Sequence, residues 1–433
     1  MLLRFRFSNF RSFREEQELS LVAGPLHDHS ESLFEIPGLR ERVLPVAGIY
    51  GANASGKTTV FRALRFMDDA IHNSHRLWEP AQPIPVEPFM GEVPERPTRF
   101  VVDFIHADIR HQYGFVMNSA AVLEEWLHVY PKGKRQAWFN RKVGAPISFS
   151  EKLAGENRVI EQLTRNNSLF LSAAAQNNHE MLLPVFNWFW NTLTFVAGSR
   201  TSERKQTVEM CNDAETRALI TRLLCRADLG IADLAVTVEN VPEELTEKVS
   251  PLLKEIIRNM LQPDEDQTPP GHLTRTAVKL LHRIDGGLLP FDLEQESAGT
   301  VAYLALLGPL VSALATGGVI CIDELDSSLH PLMAIEIMRL FESRSQNPKG
   351  GQLIFNTHDT NLLNTGILRR DQIWFTEKDD KGESYLYPLT DFKPRRKENL
   401  ESGYLQGRYG AIPFIHSDEF ATSLADANGE TEG

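Results

Sequence analysis

Residues 51–58 read Gly-Ala-Asn-Ala-Ser-Gly-Lys-Thr, a complete GxxxxGKT loop, and each fixed position has a physical reason. Gly51 and Gly56 let the backbone curl round an anion without Cβ clashes. The turn through Asn53, Ala54 and Ser55 aims successive N–H groups inward, and the N-terminus of the following helix adds its partial positive charge. Lys57 is placed to reach the β- and γ-phosphates of a nucleoside triphosphate, with Thr58 as a Mg²⁺ ligand and Thr59 beside it. Residues 43–50 (VLPVAGIY) read as a buried strand entering the loop, and residues 59–69 (TVFRALRFMDD) as the helix leaving it. Strand, glycine turn and helix in that order are the context this chemistry requires, which a bare glycine-rich turn lacks.

A second stretch completes the pattern. Residues 319–324 (VICIDE) read as a buried strand ending in two carboxylates. Asp323 at a strand end can hold Mg²⁺ through its water shell, and the adjacent Glu324 can orient or deprotonate an attacking water. An apolar run followed by Asp-Glu is often only a strand end. Paired with the phosphate loop it reads as the other half of a nucleotide site.

The chain has 433 residues, enough for one large domain or two to three modules, and its 42% hydrophobic and 24% charged residues are ordinary for a globular protein. A net charge of −13 argues against a surface devoted to nucleic acid, while leaving room for a local basic stripe. Cys211, Cys225 and Cys321 are few, odd in number and without metal spacing, which points to a reducing cytoplasm. Arg4 and Arg6 break the apolar N-terminus, so no signal peptide is expected. Residues 301–322, the most apolar stretch, carry Gly308-Pro309 and Gly317-Gly318 and read as helix, turn and strand rather than a membrane span.

Elsewhere, residues 2–7 and 17–22 read as strands, 80–97 as an extended proline-rich connector, and 99–105, 112–117 and 122–129 as an antiparallel sheet beside the nucleotide site. Residues 214–226 and 243–260 carry apolar positions at helical spacing, so 177–290 reads as a mainly helical insertion. Its acidic loop, 264–271, reads as solvated rather than metal-binding. Strands at 277–283 and 288–293 bring the chain back to the sheet, and residues 416–433 read as a disordered tail.

The long interval between Lys57 and Asp323, filled by a helical lobe, resembles ABC-type ATPases, whereas hexameric AAA+ motors and small GTPases keep it short. Further segments extend this resemblance. Residues 296–300 (ESAGT) precede a long apolar helix and resemble a degenerate signature motif, in which Ser297 and Gly299 would meet the γ-phosphate held by a second subunit. The motif departs from LSGGQ. Leu325-Asp326 follows the acidic strand end like a D-loop, which makes Asp326 a nucleotide-side candidate. His358, in Asn356-Thr357-His358-Asp359, occupies the place of a switch histidine that contacts the γ-phosphate. Residues 7–13 (FSNFRSF) resemble the segment that brings an arginine to the α-phosphate and adenine in SMC, RecF and OLD-type ATPases, with Arg11 and Asn9 as candidates. Gln176 is the Q-loop candidate, with Gln112 and Gln162 competing.

The opening LLRFRFSNFRSF and residues 372–415, including QIWFTEKD and the run through YLQGRYGAIP, are similar to AAA/ABC-type ATPases of the RloA and abortive-infection type, often encoded beside restriction or phage-defence genes. Within that run, residues 404–409 (YLQGRY) are open between binding a partner or base and docking the C-terminus. Residues 393–397 (KPRRK) are a solvated loop or a phosphate contact. The resemblance implies an α/β ABC-type head with lobes at 1–176 and 291–415, ATP and Mg²⁺ as cofactors, and a cytoplasmic homodimer sandwiching ATP. Lys57, Glu324 and His358 would be its catalytic groups. It also implies control of a separate effector such as a nuclease. The alternative is a DNA-repair or chromosome-associated ATPase that clamps nucleic acid.

Overall fold

Strands of two kinds divide the chain, and their alternation explains where each one lies. The computed structural model describes residues 1–412 except 39, 91–95, 197–199, 228–229, 241–273 and 397. β1 (Leu2–Ser8) and β2 (Gln17–Ser20) are followed by a short pair, β3 (Phe34–Glu35) and β4 (Arg42–Val43). β5 (Val46–Gly51) then runs through the phosphate loop into α1 (Lys57–Asn73). After the connector, which forms no helix or strand among its described residues, come β6 (Thr98–His106), β7 (Ile109–Met117), β8 (Val122–Tyr130), β9 (Gln136–Lys142) and β10 (Ser148–Phe149). These form a seven-stranded antiparallel sheet in the order β10-β9-β8-β7-β6-β1-β2. Ala107 and Asp108, both at positive φ, make the tight turn between β6 and β7 that right-twisted strands favour.

The helices α2 (Asn157–Leu163), α3 (Phe170–Gln176) and α4 (Leu183–Thr192) lead to β11 (Leu193–Val196), then α5 (Thr201–Met210) and α6 (Ala214–Arg226). β12 (Ile231–Asn240), β13 (Thr274–Ile284) and β14 (Gly287–Asp292) follow, then α7 (Ala298–Thr316), β15 (Val319–Ile322), α8 (Pro331–Glu342) and β16 (Gln352–Asn356). β17 (Ile373–Lys378), β18 (Ser384–Pro388) and α9 (Leu400–Leu405) end the described chain.

The second sheet runs β11-β15-β16-β5-β17-β18, parallel throughout except for β18. β5, β15 and β16 are buried along their whole length, as strands covered on both faces must be. Successive residues divide between two cores. Ala47, Ile49, Val319, Cys321 and Ile354 face the core shared with the antiparallel sheet, α1 and α4. Val46, Tyr50, Ile320, Ile322, Leu353 and Phe355 face the core shared with α7 and α8.

Residues 301–322 form the helix α7, the Gly317-Gly318 turn and β15. α7 has the length and apolarity of a membrane span, but 61% of that stretch is buried within the protein. Pro309 lies inside it and, lacking an N–H, leaves the Ala305 carbonyl without its helical partner. Thr207 of α5 repairs this. Its Oγ1 accepts the Gly308 N–H at 3.0 Å and lies 3.0 Å from both the Ala305 oxygen and the Glu203 oxygen of its own helix, which share its one proton.

Among its described residues, the stretch 177–290 expected to be mainly helical holds strands beside its helices. Its described part holds α4, α5 and α6, but β11 joins the main sheet beside β15, and β12, β13 and β14 form a separate three-stranded antiparallel sheet. The strands expected at 277–283 and 288–293 are present within β13 and β14, yet they pair with β12 and each other rather than returning to the main sheet. The alternating residues 231–240 supply the missing partner. The helix expected at 243–260, the acidic loop at 264–271 and the tail from 416 lie outside the described residues. The lobes expected at 1–176 and 291–415 share one sheet, in which β5 lies between β16 and β17.

The C-terminal aromatics dock the chain. Tyr404 and Tyr409, both buried, stack on Phe375 with ring centres 5.4 and 5.8 Å away. Tyr404 Oη donates to the Ala411 carbonyl at 2.9 Å. The 393–397 stretch faces solvent at Lys393, Arg395 and Arg396, with Arg396 3.6 Å from Asp28.

Candidate nucleotide site

The phosphate loop leaves β5 where an added Cβ on Gly51 would fall 2.4 Å from the Thr376 carbonyl oxygen. Ser55 closes the same corner through a 2.6 Å hydroxyl contact with Thr376. Gly51 and Ser55 therefore shape the loop rather than line its opening. Gly56 caps α1 at φ 118°, and a Cβ there would meet the Phe13 ring at 2.9 Å. α1 presents its first N–H groups outward from this point, as every helix start does. Asn53, Ala54, Gly56, Lys57, Thr58 and Thr59 line a cleft of about 480 Å³, within the range of small-molecule sites.

Across the cleft, Thr58 Oγ1 donates to Asp323 Oδ1 at 2.9 Å. Asn356 Nδ2 donates to the same oxygen at 2.5 Å, and Asn356 Oδ1 accepts the Glu324 N–H at 2.7 Å. Glu324 sits at φ 56°, a left-handed conformation that a glutamate keeps only when its surroundings hold it. Glu324 is among the residues that line the cleft. Asp326 accepts the His358 N–H through both oxygens at 3.3 Å, so the loop after β15 and the loop after β16 are tied together.

Lys57 Nζ donates to the Gly51 and Ala52 carbonyls at 2.8 and 3.0 Å and lies 3.4 Å from His358 Nδ1. Burial pulls its ammonium down to about 8, against the upward pull of Asp326, Glu324 and Asp323. His358 is lowered from its usual 6.5, first by burial and then by Lys57, so it is neutral at pH 7 and Nδ1 accepts from the ammonium.

The N-terminal loop explains its own sequence. Phe10 and Phe13 plug the core, and Arg11 and Ser12 between them reach the cleft. Arg11 also bonds Glu87 at 2.6 Å. Asn9, expected at the nucleotide, is fully buried instead. Its amide donates to Arg96 O at 2.7 Å and accepts from Phe89 N at 3.0 Å, so both polar ends hold the proline-rich connector. Gln176 is not in the cleft lining either. It ends α3, a helix tied to the far end of α1 by contacts of Leu169 with Ser74 and Ser172 with His75. Gln112 is occupied with Asp103 and His128, so neither fills the Q-loop role in this arrangement.

Ser297 and Gly299 lie outside this subunit's own cleft. Ser297 caps α7 by accepting the Thr300 N–H at 3.1 Å, and it is exposed. Gly299 packs against the loop after β15, where a Cβ would meet the Ser328 carbonyl at 3.0 Å. The preceding Glu296 is 2.6 Å from His282 of β13.

Sequence reading missed Asn356 and Lys378. Asn356 is a polar residue ending a wholly buried strand, and that misfit was its signal. Lys378 ends β17, the strand paired with β5, and lines the cleft. The donor set fits Mg²⁺. A hydroxyl and a carboxylate oxygen converge at 2.9 Å beside the phosphate cradle, matching an ion that takes few protein oxygens and keeps waters and phosphates. Bound there, Mg²⁺ would neutralise phosphate charge. No cluster of three His, Cys, Asp or Glu exists among the described residues to suggest another metal.

A parallel-stranded core carrying a phosphate loop, an acidic strand end and a following histidine, flanked by an antiparallel sheet, defines a P-loop nucleotide-binding head. The chain belongs to the family described as "AAA domain, putative AbiEii toxin, Type IV TA system", which matches residues 46–364. The match opens at β5 and closes just after His358. No curated protein matches the chain. Among solved structures, the SMC head domain from Thermotoga maritima is similar at TM-score 0.40 and 12% identity, over 89% of this chain and 98% of that one. The SMC head bound to the C-winged helix domain of ScpA is similar at TM-score 0.42 and 12% identity, over 89% and 96%.

Proposed function

We propose that the protein binds Mg²⁺-ATP in this cleft and hydrolyses it, and that two copies close on two nucleotides. The contact between Thr58 and Asp323, 2.9 Å across the two motifs, is the observation that carries the reading. In it, Lys57 and the start of α1 hold the β- and γ-phosphates, and Thr58 with Asp323 holds the metal. Glu324 orients and deprotonates the water, and neutral His358 senses the γ-phosphate. Arg11 approaches the α-phosphate side. Ser297, Gly299 and Asp326 complete the site of the partner copy. Support for this trans arrangement comes from Ser297, an exposed helix cap outside its own cleft.

The cellular role proposed is a cytoplasmic regulator in anti-phage defence that controls a separate effector, such as a nuclease encoded nearby. The family's own description, with its toxin and toxin–antitoxin terms, favours defence over the alternative of a nucleic-acid clamp. Lys57→Ala tests the site, since it removes the main cation on the phosphates. ATP affinity by calorimetry is expected to fall below detection, and undiminished affinity overturns the reading. Purification with co-eluting partners tests the role, and DNA-stimulated, salt-sensitive ATPase activity would favour the clamp instead.

A further inference from the structure

Arg200 is not in the cleft lining, yet it is 4% exposed and it touches Glu324. It precedes α5 in a left-handed conformation, φ 47°, and its Nη2 donates to the Glu324 carbonyl oxygen at 3.0 Å. Nε and Nη1 of the same guanidinium meet no hydrogen-bond acceptor among the described residues. A buried cation persists only where opposite charge faces it. Glu203 on its own helix does so, with Asp326 and Glu324 on the loop after β15.

Both backbone groups of Glu324 are thus held by side chains from elsewhere. Asn356 takes the N–H at 2.7 Å and Arg200 takes the carbonyl at 3.0 Å. Two clamps on one residue account for its left-handed backbone. About two helical turns beyond Arg200, Thr207 makes the hydroxyl contacts with Ala305 and Gly308 that repair the proline break in α7. The fit is tight, since a Cβ on Gly308 would fall 2.4 Å from Thr207 Oγ1. α7 is the helix that Ser297 caps. One short helix therefore joins the backbone of Glu324 to the helix carrying the signature segment.

We propose that Arg200 is a positioning residue for Glu324 and that α5 transmits the position of α7 to it. When α7 shifts as Ser297 engages a nucleotide, the Thr207 contact carries α5 along, and Arg200 resets the Glu324 carbonyl and with it the carboxylate. The inference rests on the reading of Glu324 as the group that orients water.

The test uses the full chain, measuring steady-state ATPase kinetics, melting temperature and equilibrium binding of a fluorescent ATP analogue. The variants are Arg200→Ala, Arg200→Lys, Thr207→Val and Thr207→Ser, with Glu324→Gln as control. Arg200→Ala is expected to lower kcat about tenfold or more while KM and Kd stay within about twofold, the pattern of a lost transition-state contact. Arg200→Lys, which keeps a cation, should recover part of kcat. Thr207→Val should lower kcat alone, and Thr207→Ser, which keeps the hydroxyl, should remain near wild type. If Arg200→Ala does not fold, the Thr207 pair decides.

Unchanged kcat in both Arg200→Ala and Thr207→Val, with Glu324→Gln inactive, overturns this inference and leaves the reading of Glu324 standing. A parallel fall of kcat, nucleotide affinity and melting temperature also overturns it, because it marks a packing residue. Near-normal hydrolysis by Glu324→Gln overturns the reading of Glu324 and takes this inference with it.

Discussion

Asn356 and Asp323 meet side chain to side chain at 2.5 Å, and the oxygen of the same amide accepts the Glu324 N–H at 2.7 Å. One residue at the end of β16 thereby orients the carboxylate proposed to hold Mg²⁺ and fixes the backbone of Glu324. Side chains behind a metal ligand set its direction, and their loss typically costs 10–100-fold in metal affinity or activity.

Asn356→Ala is therefore expected to lower kcat on the order of 10–100-fold and to raise the Mg²⁺ concentration needed for half-maximal activity. Binding of ATP without Mg²⁺ should change little, since Lys57 and the loop are untouched. Calorimetry with and without Mg²⁺, beside an ATPase assay, separates the two effects. Equal losses in both conditions would show that Asn356 supports the whole cleft.

Glu324→Gln keeps the shape of the side chain and leaves Thr58 and Asp323 to the metal, but it removes the base. Turnover is expected to fall on the order of 100-fold or more with ATP affinity retained. ATP-bound pairs of heads should then accumulate, visible by light scattering. Hydrolysis near the wild-type rate would show that another group activates the water.

Glu342 provides a pH-dependent test of the core. Its carboxylate is buried, with Oε1 accepting from Gln372 at 2.5 Å and Ser32 close by. Burial raises its pKa from the ordinary 4.5 to about 7. The fold prefers the protonated form, so this contribution to stability is whole below about 4.5 and is lost as pH climbs through 7. Glu342→Gln, neutral at every pH and still able to accept from Gln372, should stabilise the protein above pH 7 by on the order of 1–3 kcal/mol. Near pH 4.5 the gain should shrink toward zero. Urea unfolding at the two pH values reads the difference, and a gain independent of pH would refute the assignment.

The parts of the site that the sequence announces are those built from contiguous residues. Gly51 to Thr59 must supply loop, cation and helix start in one run, and Asp323-Glu324 must end a buried strand, so both are legible. Asn9 and Arg11 stand two positions apart in one motif, yet only Arg11 lines the cleft. The pairing of Asn9 with the connector decides this, and that contact spans nearly ninety positions. Residues 231–240 alternate as a strand should, but the strand has meaning only beside β13, beyond the intervening segment. Gln176 fails for the same reason, because the docking of α3 on α1 is set by tertiary contacts rather than by local spacing.

Ser297→Arg probes whether two copies share a site. The exposed hydroxyl caps α7 outside its own subunit's cleft, so a bulky side chain there should leave ATP binding to an isolated subunit near normal. It should prevent ATP-dependent pairing of heads and lower hydrolysis, because the arginine blocks the approach to the partner's γ-phosphate. Mixing this variant with Lys57→Ala gives the discriminating experiment. In a two-fold pair made of one chain of each kind, one composite site has both halves intact and the other has both halves damaged. Activity recovered on mixing, with each parent inactive alone, supports sharing in trans. A mixture as inactive as its parents means that both sites must act together or that the heads do not pair this way. Crosslinking Ser297→Cys to Asn53→Cys across subunits in the presence of ATP decides between these. A crosslink that forms in an inactive mixture shows coupled sites, and its absence shows that Ser297 faces something other than the partner's phosphate loop.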